Sequence, residues 1–374
     1  MAKVPGRERL QRPVPHFPGL SIPDRARKTR RRRDGPDSPE RHPITDSTPT
    51  TTSGIRGKLA SAVKPARGRL GDSLFAAITL LAVATIIILM ALLIYELVQQ
   101  ALPAIRAFGA GFLISTNWDP VNNIYGALPF IFGTVVSSLL ALLMAVPLSL
   151  GIAIYLSQFA PKWLRSPLGF VVELLAAIPS VVYGLWGIFV LAPFLGRTVE
   201  PFLSGHLGSI PFFAGPVYGV GLFAASVVLA IMIIPTISAI SRESMLNVSR
   251  DQKEAAQALG ATPWETVKMA VLPLSRPGII GAVILGLGRA LGETMAVTML
   301  IGNSPKISAS IFAPAYSIAS VIASEFQEVT AGVHMAALIE MALILLVITL
   351  MLNLLARLLI QKTGGRALKS RGRS

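Results

Sequence analysis

The chain has 374 residues, of which 52% are hydrophobic and only 14% charged, and its formal charge is +15. A soluble domain carries about a quarter charged residues, so the composition argues against a purely soluble enzyme, and the apolar fraction excludes a chain disordered throughout. Cysteine is absent and the histidines are scattered at 16, 42, 206 and 334, which removes disulfides and thiolate nucleophiles and argues against a His-based metal site.

The first segment, residues 1–73, holds seventeen of the 34 Lys and Arg and seven of the 19 Asp and Glu. It is rich in Pro, Ser, Thr and Arg, includes the run Arg30, Arg31, Arg32, Arg33, and has no apolar periodicity. It reads as a basic, disordered cytoplasmic arm. No short apolar run follows its basic start, so a signal peptide is not expected. The charge suits topology setting and contact with anionic membrane lipid. Only Phe17 interleaves with the arginines, which argues against nucleic acid as a partner.

Six apolar spans follow, each longer than the roughly 20 residues that a helix needs to cross the hydrocarbon core, the second overlong. They are Leu74–Tyr95, Leu128–Leu156 with Pro147 inside, Leu168–Leu195 with Pro179 inside, Val217–Ile240, Gly278–Gly302 and Met335–Leu359. The prediction is an all-α integral membrane protein with a membrane domain over 74–360 and a basic cytoplasmic tail over 361–374. With the first segment inside, thirty Lys and Arg fall on the cytoplasmic side and three (Arg106, Arg197 and Lys306) outside. That asymmetry places both termini in the cytoplasm.

The loop between spans four and five, residues 241–277, is read as two short amphipathic helices. The first runs Asp251–Leu259 and stops at Gly260. Thr262 caps the second, with Pro263 at its first position and Glu265 three residues after the cap, and Pro273 ends it. Ala255, Ala256 and Leu259 give the first helix a shallow apolar face suited to a partner's groove.

Span five carries Arg289 eleven residues in, about 16 Å deep at 1.5 Å per residue. A charge there costs at least ~2.5 kcal/mol, so it faces a cavity or a partner. Glu293, one turn along the same face, would hold Arg289 in place. Gly288 and Gly292 form a small-xxx-small pair for close helix approach. Pro179 falls near mid-depth of span three, where a kink opens a path. Glu340 in span six reads as hydrogen-bonded to a neighbouring helix. Asn117, Trp118 and Asp119 in the first outer loop read equally as a partner contact or a turn.

Glu254-Ala255-Ala256, then Gly260, then Leu272-Pro273 resembles the EAA motif of ABC importer permeases, with Ala270 where that family often has Ile. The blocks Pro179-Ser180 through Gly187 and Gly286 through Asn303, with Gly288-Arg289-Ala-Leu-Gly292-Glu293-Thr294, resemble the phosphate-specific members, of the PstC type. The resemblance covers about residues 74–360. It implies a type I ABC importer permease (MetI-like) fold in the inner membrane of a prokaryote. It further implies a PstA-like second permease subunit, a PstB-like ATPase dimer and a PstS-like phosphate-binding protein. Glu254, Ala255, Ala256, Gly260, Leu272 and Pro273 would couple to the ATPase. Arg289, Glu293, Ser180 and Thr294 would line the substrate path.

No G-x-x-x-x-G-K-[ST] is present, so the chain is not expected to bind ATP itself, to be an enzyme or to hold a cofactor. Three rival readings remain at this stage. One is a permease for molybdate, tungstate or sulfate. Another is an ion-gradient transporter with Glu293 or Glu340 as proton carrier. The third is a membrane-anchored nucleic-acid binder acting through the arm.

Overall fold

The computed structural model describes residues 69–329 and 332–369. Most of the basic arm, 1–68, and the end of the basic tail, 370–374, lie outside the described residues. The described chain is helical apart from turns and an isolated bridge between Asp119 and Ile124. Six of its helices are long and apolar enough to cross a membrane.

Helix α1 runs Arg69–Phe108, beginning inside the last residues of the arm. Helix α2 covers Leu128–Phe159 and α3 covers Lys162–Ala177. Helix α4 covers Ser180–Leu207 and α5 Leu222–Leu246. The short α6, Arg250–Ala258, precedes α7, Pro263–Leu291. Helices α8 (Met295–Leu300), α9 (Ile318–Glu325) and α10 (Val333–Lys369) complete the chain.

Helix α5 is the centre of the bundle. Ala224, Ala225, Val228, Leu229, Met232, Ile233 and Ile237 are all buried along it. Its neighbours meet it with small residues, Ala141 and Ala145 on α2 and Ala282 and Ala290 on α7. In lipid the gain comes from close packing rather than from water exclusion, so small residues at the contact let backbones approach. A Cβ at Gly286 of α7 would come within 2.8 Å of the Ile237 side chain, so any larger residue there forces Ile237 to move. Ser149 of α2 adds a hydrogen bond to the Ile234 carbonyl of α5, 3.3 Å long. By contrast α1 is apolar on every side, and its large residues from Leu74 to Tyr95 are exposed among the described residues. That is the pattern of a helix whose neighbours are lipid or another chain.

Three predicted features are corrected. Span three is two helices: the chain extends at Ile178 and Pro179, and the crossing helix α4 starts at Ser180. Pro179 therefore initiates a span rather than kinking one, because its missing N–H is harmless at a helix start. Pro273 does not end the second loop helix. A π turn over Val267–Val271, closed by the Leu272 N–H on the Val267 carbonyl, widens the helix ahead of Pro273 and Pro277. The wider turn absorbs the ring clash that would break an α-helix, and α7 continues to Leu291. Finally, span five stops at Leu291 instead of running to Gly302. The chain breaks over Gly292–Thr294 before α8 begins at Met295.

Candidate functional site

Two breaks lie side by side. Gly184 of α4 faces Ala296 and Met299 of α8, and Gly187 faces Leu300, so the two helices run parallel. Ser180 is four residues before Gly184 and Gly292 four before Ala296, which sets Ser180 level with the Gly292–Thr294 break. Within that break the Thr294 hydroxyl donates to the Gly292 carbonyl at 3.2 Å. A Glu293 oxygen accepts from the Ala296 backbone N–H at 3.4 Å and so closes the first turn of α8. Ser180, Glu293 and Thr294 are all half-buried.

Arg289 sits in the last turn of α7, half-buried, and its Nη1 donates to the Thr236 hydroxyl of α5 at 3.3 Å. It makes no ion pair with Glu293; among the described residues the ion pair found is His334–Glu325. The expected one-turn spacing fails because the helix ends between the two residues. Arg289 instead lines a cavity of about 830 Å³ between α5, α7 and α10, with Thr236, Gly281, Gly288, Asn353 and Arg357 in its wall. Ser180, Glu293 and Thr294 are not part of that wall. The guanidinium is nevertheless within electrostatic reach of Tyr183, whose hydroxyl donates to the Leu175 carbonyl across the Pro179 break at 2.9 Å.

Among the described residues, no other helix approaches closely at Gly288 or Gly292. A Cβ at Gly288 would meet nothing within 4 Å, and one at Gly292 only the Gly288 carbonyl at 3.7 Å. Gly288 leaves space in the cavity. Thr236, Asn353 and Arg357 were not among the expected site residues. Asn353 carried the one available signal, an amide inside an apolar run. Arg357 is one of the thirty Lys and Arg that the charge count places on the cytoplasmic side. One carboxylate oxygen of Glu340, a buried residue, has no hydrogen-bond partner among the described residues, so the expected bond to a neighbouring helix is not made by that atom. Trp118 and Asp119 belong to a tied turn: Trp118 Nε1 donates to Glu325 at 3.1 Å, and Asp119 accepts from Val121 and Asn122.

The 241–277 loop forms as expected up to Pro273. Gly260 has φ +88°, a left-handed conformation that glycine adopts without strain. Thr262 and Glu265 exchange the reciprocal hydrogen bonds of a capping box. Helix α6 is open: Glu254, Ala255 and Gly260 are exposed, Ala256 is half-buried, and Leu259 is 90% exposed. Leu272 and Pro273 are half-buried at the root of the loop, where Leu272 packs against the cluster of Ala153, Met245, Val248 and Val271. Burial, then the charges of Arg165 and Arg250, push the Lys253 amine of α6 below the usual lysine range. Three cations thus share this end of the molecule.

The sequence of residues 145–365 matches the family of binding-protein-dependent transport system inner membrane components. The chain belongs to this family. Among curated relatives of this membrane component, the phosphate transport system permease protein PstC of Haemophilus influenzae is 48% identical over 78% of this chain and 93% of its own length. The protein of the same name from Mesorhizobium japonicum is 45% identical over 80% of this chain and 93% of its own. A chain from the crystal structure of a bacterial ABC transporter that imports the acidic polysaccharide alginate shares the fold. Its TM-score is 0.53 at 18% identity, covering 78% of this chain and 96% of that one.

Proposed function

We propose that this membrane component is the permease subunit of an ATP-driven phosphate importer, a transport subunit and not an enzyme. The observation that carries the reading is Arg289. It is a permanently charged guanidinium held at the end of a transmembrane helix in a membrane cavity, in a chain whose relatives are named for phosphate transport. Burying that charge costs at least ~2.5 kcal/mol, a cost that an oxyanion in transit offsets. The fork of donors fits an oxyanion better than a compact ammonium would.

On this reading both termini and the 241–277 loop face the cytoplasm. The PstB-like ATPase receives the exposed Glu254-Ala255-Ala256 face of α6, with Gly260 setting the angle between α6 and α7. Leu272 and Pro273 pass the movement on, because their cluster joins α2, α5 and α7. A PstA-like subunit completes the path and supplies a surface for α1. A PstS-like protein delivers phosphate at the outer end. Ser180 and Thr294, level with each other at two breaks, contribute hydroxyls near the route, and Glu293 steadies the start of α8. The step is gating of a path, with no bond made or broken by this chain.

The test is uptake of radiolabelled phosphate by the four-component complex in vesicles, with sulfate and molybdate as competitors. ATP-dependent uptake that excess sulfate or molybdate leaves unchanged supports phosphate. Uptake of either competitor at a higher rate assigns the permease to that anion, and uptake driven by an ion gradient without ATP removes the importer reading.

A further inference from the structure

Arg289 shares its cavity with a second guanidinium, Arg357 of α10. Consecutive crossing helices run in opposite directions. The cavity is lined by Gly281 to Arg289 of α7 and by Leu350 to Arg357 of α10. On antiparallel helices the two arginines stand toward opposite ends of that lining, which at 1.5 Å per residue is about 12 Å long. Arg357 is the one nearer the 241–277 loop. Asn353, one helical turn before Arg357, lines the same cavity.

Two features set this wall apart from a helix end that merely reaches for headgroups. No carboxylate lines the cavity, and neither guanidinium has an ion-pair partner among the described residues. Two like charges facing one cavity repel, and an anion between them relieves both. The floor opposite is bare: a Cβ at Gly281 or Gly288 would meet nothing within 4 Å. At about 30 Å³ per water, the 830 Å³ space holds an oxyanion together with part of its hydration shell.

We infer that Arg357 and Asn353 form a second oxyanion station, between Arg289 and the loop-bearing end, which receives phosphate from Arg289 and releases it. This rests on the import reading above and adds the exit half of the route. Conduction needs sites that bind well enough to draw the ion in and weakly enough to let it leave, which two spaced stations achieve better than one deep site. The ligand chemistry is that of a phosphate oxyanion. The competing source is a lipid phosphate group lying against Arg357.

The experiment uses the assembled complex in vesicles of neutral phosphatidylcholine, and again with phosphatidylglycerol added. Arg357→Gln is expected to lower labelled phosphate uptake by about tenfold or more in both vesicles, with Arg357→Lys in between. Wild-type uptake by Arg357→Gln in neutral vesicles overturns the station, and a deficit confined to anionic vesicles assigns Arg357 to lipid. A second measurement covers the case in which Arg357→Gln does not assemble. The chain has no cysteine, so Asn353→Cys creates its sole thiol. A membrane-impermeant thiol reagent should label that site, and inorganic phosphate should slow labelling where chloride at equal ionic strength does not. A thiol that never reacts, or reacts equally with and without phosphate, refutes the station. If the wild-type complex moves no phosphate, it is the import reading that fails, and the labelling result still reports on anion binding at Asn353.

Discussion

Along α7, Gly286 and Gly288 stand two residues apart and meet opposite surroundings. Gly286 is pressed onto Ile237 of α5, on the face that also buries Ala282 and Ala290. Gly288 faces open space beside Arg289, on the face that lines the cavity. The same residue type serves packing on one side and vacancy on the other. A helix read only by its spacing of small residues shows one stripe where the folded chain has two, with different consequences for substitution.

The largest effect is expected on the packed face. Gly286→Leu forces a branched side chain into Ile237, and overpacking of this kind costs ~1–3 kcal/mol or more. The expected outcome is a chain that fails to accumulate in the membrane, read by detergent size exclusion of a fluorescent fusion. Normal accumulation would show that the α5–α7 contact is looser than its geometry implies.

Glu254→Lys carries the comparison to α6, the other surface this chain leaves open. It should leave the chain in the membrane at normal abundance while the ATPase no longer co-purifies and uptake is lost. Retained ATPase with normal uptake would remove α6 from the coupling route.

Gly288→Leu fills the cavity without touching the core. Uptake should fall by about tenfold while accumulation and thermal stability stay within about 0.5 kcal/mol of wild type, as for a substitution that meets no neighbour. A stability loss as large as that of Gly286→Leu would mean the two faces are not distinct. The smallest effect is expected from deleting residues 2–60. Uptake should remain within about twofold, since the segment lacks the apolar surface to build a core. Complete loss in an inserted variant would give the arm a direct role.

What the sequence revealed and what it hid follow from the range of each signal. The six crossings were legible because about twenty apolar residues in a row have few alternatives to spanning. The Gly260 turn and the Thr262–Glu265 box were legible because both are local, set by residues within four positions of one another. The breaks at Pro179 and Gly292 were not, because averaging hydropathy over a span erases an interruption of two or three residues. Helix α7 passed through Pro273 because a π turn absorbed the proline, and no composition rule marks where one forms. The Arg289–Glu293 pair failed for a related reason: four-residue spacing places two side chains together only on an unbroken helix. The partners Arg289 does have near it, Thr236, Asn353 and Arg357, are 53 to 68 positions away in the chain, where periodicity carries no information.

The measurement that bears most directly on the account is labelled phosphate uptake by the reconstituted complex carrying Arg289→Gln, with subunit stoichiometry determined on the same vesicles. The substitution removes the charge and keeps an amide donor, on a side chain two atoms shorter than the guanidinium that reaches Thr236. The account predicts complexes of normal stoichiometry whose uptake falls by at least about tenfold, the scale of losing one charged hydrogen-bond partner for the anion. Assembled complexes that transport at the wild-type rate would contradict it, and complexes that do not assemble would make Arg289 a tie between α7 and α5 rather than the residue that meets the anion.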